Sequence, residues 1–247
     1  MPRYILVRST ASTNDYLAKM AMMLPGGTVV HTPEQTQGRG QRGNSWESEP
    51  GKNVQFSLLL KNPAVPVASQ FYISEAVAIA IAEVLERYAP GFEIKWANDI
   101  YHGDKKVCGI LIEHSIMGSK INHTIIGVGI NVNQMKFMSD APNPCSLALI
   151  LNEEVSTEEV LHRVCEEIER RCRFDTYTDG DFDNLHNEYL SRLYRKDGEL
   201  HRFALSDGEE FLARIVDVRR SGMLVLENED GSVKEFAFKE VRFIIGN

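Results

Sequence analysis

Hydrophobic positions change period several times along the chain, and each change marks an element. Arg3 to Arg8 reads as a first strand. Ser12 or Thr13 can cap a helix running to about Leu24, which Pro25-Gly26-Gly27 stops. Thr28 to Thr32 is a short strand, and a loop rich in Gly, Arg and Gln follows from Pro33 to Asn53. Val54, Phe56, Leu58 and Leu60 alternate as in a half-buried strand. Val67 to Tyr88 predicts a long helix so densely apolar that it must be covered on most sides. Glu93 to Trp96 begins a strand that ends at Asn98-Asp99, and a turn follows at His102-Gly103-Asp104. Val107 to Met117 and Ile121 to Val132 predict two longer strands joined in a hairpin around Gly118-Ser119. Thr157 to Tyr177 and Phe182 to Tyr194 predict helices.

Near Tyr194 the pattern changes. Short alternating runs follow at Leu200–Leu205, Glu210–Val218, Met223–Glu227 and Lys234–Phe238. Ser206-Asp207-Gly208, Ser221-Gly222 and Asp230-Gly231 separate them. This is the pattern of a small antiparallel barrel of about 50 residues. The expected division is therefore a large domain over 1–194 and a small one over 195–247, which suits a chain of 247 residues.

Composition narrows the class. Hydrophobic residues make up 43% and charged residues 25%, which excludes a disordered or low-complexity chain. Lys and Arg total 27 against 35 Asp and Glu, a net charge of −8. An acidic chain is poorly suited to general nucleic-acid binding, so no DNA partner is expected. Cys108, Cys145, Cys165 and Cys172 show neither C-x-x-C nor zinc-finger spacing and read as buried reduced thiols. Met1 to Ser12 reads as too polar and short for a signal peptide, so none is expected, and the longest apolar run, Ala76 to Ala82, is far short of the roughly 18 residues that span a bilayer. A cytoplasmic protein without a membrane partner is expected.

Three clusters carry candidate chemistry. The first is Gln35-Thr36-Gln37-Gly38-Arg39-Gly40-Gln41-Arg42-Gly43-Asn44-Ser45-Trp46. Its glycines match G-x-G-x-x-G, but that fingerprint needs a helix at the glycines, and here loop and strand follow. Exposed backbone N–H groups with Arg39 and Arg42 suit phosphate or carboxylate, and Trp46 offers a face for a base. An exposed loop with solvated arginines is the alternative. The second is Lys95-Trp96-Ala97-Asn98-Asp99-Ile100, followed by Lys105-Lys106-Val107-Cys108-Gly109-Ile110-Leu111-Ile112-Glu113. A lysine and a carboxylate beside a turn can bind an anion and its Mg²⁺, or can be an ordinary hairpin with solvated charges. The third is Gly127-Val128-Gly129-Ile130-Asn131-Val132-Asn133, where glycines inside a strand mark close approach of a ligand or simply tight packing. Ser12-Thr13-Asn14 adds three hydrogen-bonding side chains at a strand-to-helix junction, also readable as a helix cap.

Taken together, these motifs in this order resemble the biotin–protein ligases. The resemblance runs from Ser12-Thr13-Asn14 through Gly38-Arg39-Gly40-x-Arg42-Gly43, Lys95-Trp96-x-Asn98-Asp99, Lys106-x-x-Gly109-Ile110-Leu111-Ile112-Glu113 and Gly129-Ile130-Asn131. It implies an α/β (α+β) fold: a mixed β-sheet with flanking helices, like class II aminoacyl-tRNA synthetases, plus a small C-terminal SH3-like β-barrel. It implies activation of biotin with ATP to biotinyl-5′-AMP, then transfer to a lysine of the biotin carboxyl carrier domain of acetyl-CoA carboxylase or a related carboxylase. Since the chain begins at the first strand, a monofunctional ligase without a DNA-binding domain is expected, as monomer or homodimer.

The resemblance also implies site roles. Ser12, Thr13, Asn14 and Gln35 would hold the ureido end of biotin, and Gly38, Arg39, Gly40, Gln41 and Lys106 would also bind biotin. Gly109 and Gly129 would let the sheet backbone lie against the rings. Arg39, Lys106 and Asp99 would be catalytic, with Arg39 and Lys106 neutralising the reacting anions. ATP would meet Arg39, Arg42, Trp46, Asn98, Lys106 and Asn131, and Asn98 with Asp99 would support Mg²⁺. Gln41, Asn44 and Ala97 depart from the frequent Arg, Arg and Pro. Two alternatives remain: a lipoate–protein ligase-like enzyme and a non-catalytic biotin- or adenylate-binding regulator.

Overall fold

The computed structural model describes residues 2–138 and 143–246. Its first strands are β1 (Arg3–Leu6) and β2 (Thr28–His31), which pair in parallel and are linked by helix α1 (Thr13–Met20). The strands β3 (Val54–Lys61), β4 (Phe92–Lys95), β5 (Asp99–His102), β6 (Lys105–Met117) and β7 (Lys120–Ile130) complete a seven-stranded sheet. Its order is β1-β2-β3-β7-β6-β5-β4, and every pairing after the first is antiparallel. The sheet is therefore mixed, as expected.

Helix α1 begins where the Ser12 hydroxyl accepts from the Asp15 amide, at 3.4 Å. Asp15 in the first turn and Lys19 in the last complement the helix dipole. Leu17 buries fully with Val30 and Leu59. On the other side of the sheet lies α2 (Phe71–Glu86), preceded by a 3-10 turn at Val67–Ser69. Its alanines at 76, 78, 80 and 82 are all buried and permit close packing against sheet and helices. Helices α3 (Leu147–Leu151), α4 (Thr157–Arg171) and α5 (Asp179–Ser191) follow, and α4 and α5 cover α2. Arg171 of α4 clamps the three long helices, 2.7 Å from Glu83 of α2 and 3.0 Å from Glu188 of α5.

Four expectations change. The strand β3 is not half-buried: Gln55 and Ser57 are buried as well as Phe56 and Leu58. Helix α1 and the glycine-rich loop cover the face opposite α2, which alternation alone could not reveal. The strand expected to end at Asn98-Asp99 ends at Lys95, and Asp99 instead starts β5, a short strand missed between two turns. The helix expected over 157–177 stops at Arg171, with a 3-10 turn at Phe174–Thr176. A capping box between Thr178 and Asp181 then starts α5 earlier than expected.

The strands β8 (His201–Leu205), β9 (Glu210–Val218), β10 (Leu224–Asn228), β11 (Val233–Phe236) and β12 (Val241–Phe243) form a second, antiparallel sheet ordered β11-β10-β9-β8-β12. Phe203, Ala213, Ile215 and Leu226 are buried in it. It docks on the first through Trp96, whose Nε1 donates to the Gly222 carbonyl at 2.9 Å. Gly222, at φ 91°, lies so close to Phe71 that a Cβ there would fall 2.7 Å from the ring. Lys95 lies with its ammonium 4.7 Å from the Phe243 ring centre, and burial lowers its pKa.

Candidate functional site

The central strands β3, β6 and β7, the start of α1 and the glycine-rich loop enclose a cavity of about 630 Å³, a size suited to a small ligand. Phe238, just beyond β11, also lines it, so the second sheet contributes to the wall.

One end is polar. Gln35 Oε1 accepts from the Thr13 amide at 2.7 Å, and its Nε2 donates to Gln55 Oε1 at 3.0 Å. The Ser57 hydroxyl lies 2.8 Å from Thr13 Oγ1 and 2.5 Å from Asn14 Oδ1. Asn14 Nδ2 donates to Glu113 Oε2 at 2.7 Å and to the Leu111 carbonyl at 3.3 Å. Ser12, Thr13, Asn14, Gln55 and Ser57 are all buried. Such groups are stable in the interior because they satisfy one another. Gln55 Nε2 is left without a partner, as a donor with spare capacity.

The other end is charged. Lys106, at the start of β6, is 2.7 Å from Asp99 at the start of β5. Cross-strand pairing sets both: Tyr101 faces Lys106, and Asp99 faces Gly109. Asn98 donates its amide to the Ile110 carbonyl and accepts the Ile110 amide at 2.9 Å, which closes the turn. Beside Lys106, Cys108 is fully buried, and burial pushes its thiol well above the usual range. A thiolate nucleophile is thus disfavoured at this position. Asn131, at the end of β7, is buried with Oδ1 unpartnered and lines the cavity.

The glycines form the floor. Gly109 of β6 and Gly129 of β7 pair directly across the strands. The indole of Trp46 lies on them: a Cβ on Gly109 would fall 2.8 Å from Cζ3, and one on Gly129 would fall 2.6 Å from Nε1. Trp46 Nε1 has no partner, and Lys106 Nζ is 5.7 Å from the indole centre. The surface expected to lie against substrate rings therefore carries the loop's own tryptophan. Gly127 does the same for Asn14: a Cβ there would fall 2.8 Å from Asn14 Cγ.

Within the loop, Gly40 N donates to the Asn44 carbonyl at 2.7 Å and Trp46 N to the Gly38 carbonyl at 2.9 Å, making a small hairpin with a 3-10 turn at Gln41–Gly43. Arg39 lines the cavity, but its guanidinium is bonded to Glu113 and Asp15.

Most expected site residues meet here. Ser12, Thr13, Asn14, Gln35, Arg39, Gly40, Gln41, Trp46, Asn98, Asp99, Lys106, Gly109, Gly129 and Asn131 all line the cavity. Gly38 does not; it packs against the loop, where a Cβ would meet the Trp46 carbonyl at 2.6 Å. The side chain of Arg42 lies outside the described residues. Sequence reading gave no role to Gln55, Ser57, Glu113 or Phe238. Two of these carried a signal: polar residues at Gln55 and Ser57 within an apolar strand.

Comparison with known proteins bears on the same segments. A model of the biotin/lipoate A/B protein ligase family matches residues 6–131. The bifunctional ligase/repressor BirA of Bacillus spizizenii is 30% identical over 239 residues, which cover 94% of this chain and 70% of that protein. The biotin–[acetyl-CoA-carboxylase] ligase of Paracoccus denitrificans is 30% identical over 198 residues, 77% of this chain and 80% of its own length. A biotin protein ligase of Aquifex aeolicus, solved with biotin and ATP, superposes with a TM-score of 0.78 at 25% identity over 100% of both chains. The matched segment contains β2 to β7, the glycine-rich loop, Lys106 and the glycine floor, so site and sequence point the same way: the chain belongs to the biotin/lipoate A/B protein ligase family.

Proposed function

We propose that the chain is an ATP-dependent biotin protein ligase that forms biotinyl-5′-AMP and passes the biotinyl group to a lysine of a carboxylase biotin carrier domain. The observation that carries this reading is one cavity with a polar cluster at one end and the Lys106–Asp99 pair at the other. Biotin has that polarity: a ureido ring, an apolar body and a carboxylate. A lipoyl ring offers no partner to the spare Gln55 Nε2 donor, which would stay buried and unmatched against it.

In this reading, the ureido end meets the start of α1, where Gln55 Nε2 is an unpartnered donor and the Ser12 hydroxyl, which accepts from Asp15, keeps its own proton to donate. The carboxylate then reaches Lys106. One carboxylate oxygen attacks the α-phosphorus of ATP, and pyrophosphate leaves. Lys106 offsets the negative charge of the two converging anions, and positioning with electrostatic stabilisation supplies the rest. The Asn131 amide oxygen is a free acceptor for the nucleotide. The carrier lysine amine next attacks the acyl carbon, and AMP leaves. The loop from Gly38 to Trp46 excludes water from the mixed anhydride.

The fit to Mg²⁺ is partial. Asp99 is a single carboxylate, and no group of three or more His, Cys, Asp or Glu suited to a metal occurs among the described residues. That suits an ion held chiefly by nucleotide phosphates, which would neutralise phosphate charge when bound. We also assign residues 1–194 to a catalytic domain resembling the class II synthetases and 195–247 to an SH3-like barrel. Closely spaced, all-antiparallel strands β8 to β12 support the second assignment. The test is ATP–pyrophosphate exchange, expected only with biotin added and not with lipoate; exchange with lipoate alone would overturn the reading.

A further inference from the structure

Arg39 stands in the glycine-rich loop, where a cation invites a phosphate. Its surroundings say otherwise. Nη1 is 3.1 Å from Glu113 Oε1, and Nη2 is 3.1 Å from Oε1 and 2.9 Å from Oε2. Nη2 is also 2.8 Å from Asp15 Oδ1. Two carboxylates on one guanidinium leave it no net charge to offer an anion. The three side chains come from α1, the loop and β6, so the cluster ties together the three elements that frame the polar end of the cavity. Glu113 Oε2 also accepts from Asn14 Nδ2 at 2.7 Å. One carboxylate thus fixes both the loop and a side chain of the polar cluster.

We infer that Glu113 is a positioning residue for the ligase reaction, clamping the glycine-rich loop to the sheet through Arg39, and that Arg39 acts through this clamp and not on the phosphate. The inference rests on the proposed ligase activity. Its geometric consequence reaches Trp46. Arg39 pairs with Ser45 across the small hairpin, and Trp46 follows directly, with its indole on Gly109 and Gly129. Releasing Arg39 frees the base of that hairpin. The side chains of Arg39 and Glu113 are each about 40% exposed. Exposed pairs contribute little to global stability, so the effect should fall on the geometry of the site.

The test is a double-mutant cycle of Glu113→Gln, Arg39→Gln and both together. Biotin-dependent ATP–pyrophosphate exchange is resolved into kcat and KM for biotin and for ATP. Hydrogen exchange of residues 38–46 is measured in the same proteins without substrates. Either single variant should lower kcat/KM for biotin roughly ten- to hundredfold, as misplacement by about an ångström does, with the same split between kcat and KM in both. The double variant should be no worse than the worse single one. Both single variants should speed exchange of loop amides, and the swapped pair Arg39→Glu with Glu113→Arg should restore part of the protection. A drop in kcat for Arg39→Gln that Glu113→Gln does not share, with multiplied losses in the double variant, would make Arg39 a phosphate ligand and overturn the clamp. Unchanged loop exchange in Glu113→Gln would overturn it as well, whatever the activity. Wild-type protein without biotin-dependent exchange would instead defeat the ligase reading, leaving the loop measurement to decide the clamp.

Discussion

Replacing Gly127 with alanine adds one methyl group at the most crowded point of the polar cluster. The new Cβ would fall 2.8 Å from Asn14 Cγ and 3.0 Å from Nδ2, closer than non-bonded carbon and nitrogen atoms settle. Gly127 sits mid-strand, paired with Ser57 on β3 and Leu111 on β6, so the backbone cannot retreat without breaking two ladders. The Asn14 amide must move instead. It holds Ser57 at 2.5 Å, Glu113 at 2.7 Å and the Leu111 carbonyl at 3.3 Å. Two neutral hydrogen bonds at about 1 kcal/mol and one to a carboxylate at about 1.5–3 kcal/mol give roughly 3.5–5 kcal/mol if all are lost. Repacking should recover part, leaving a loss of about 2–3 kcal/mol, or some 30- to 150-fold in an equilibrium constant. Calorimetric biotin titration and thermal unfolding should divide this between binding and stability. Asn14→Ala removes the group that is struck, so Gly127→Ala should add little in that background. Unchanged biotin affinity and unfolding temperature in Gly127→Ala, or additive losses in the double variant, would refute the close approach.

Lys106→Ala should lower biotin-dependent exchange about 10²–10³-fold with the fold intact, by removing one preorganised cation; retention of more than half the activity sinks its assignment. Gln41 lines the cavity. Gln41→Arg should slow release of biotinyl-AMP about fivefold, because a charge-assisted bond exceeds a neutral one by on the order of 1 kcal/mol, and equal or faster release places the residue elsewhere. The third concerns the buried carboxylate of α2. His186 Nδ1 is 2.7 Å from Glu75, and its Nε2 is 3.7 Å from Asp217 of β9. The bond to Glu75 raises the His186 pKa above 6.5, and burial raises that of Glu75. Both groups hold protons more tightly when folded, so the stability they contribute is present at low pH and lost as pH rises through the folded values. Denaturant unfolding should therefore show wild type losing stability relative to His186→Asn as pH rises above 6.5; a pH-independent difference refutes the link.

The fold was legible wherever burial is one-sided or complete. The run Val67 to Tyr88 announced a covered helix, and α2 is that helix. The β6–β7 hairpin and the last strands were legible because glycine turns at Gly118, Gly208, Gly222 and Gly231 have positive φ, which other residues rarely adopt. Strand β5 was hidden because four residues between two turns leave no period to read. The second face of β3 was hidden because a loop without periodicity covers it. At the site, residue types survived better than partners. Lys106 and Asp99 were found by their motif, and pairing across β5 and β6 brings them together. Arg39 was found as well, but its partners lie 24 and 74 positions away, and no local pattern encodes such contacts.

That difference bears on how an acidic chain handles two anionic substrates. Among the described side chains, the cations of the cavity are matched before any anion arrives, Lys106 by Asp99 and Arg39 by Glu113 and Asp15. The two matches are unequal. Arg39 is held through several bonds by carboxylates on two elements, a fork geometry that a single phosphate oxygen does not displace. Lys106 is held by one ion pair, and its ammonium turns on a flexible stem. In the proposed reaction, an incoming carboxylate and phosphate would therefore compete for Lys106 with one carboxylate. In that proposed reaction the charge free to shift is the lysine's, and the arginine keeps the loop in place.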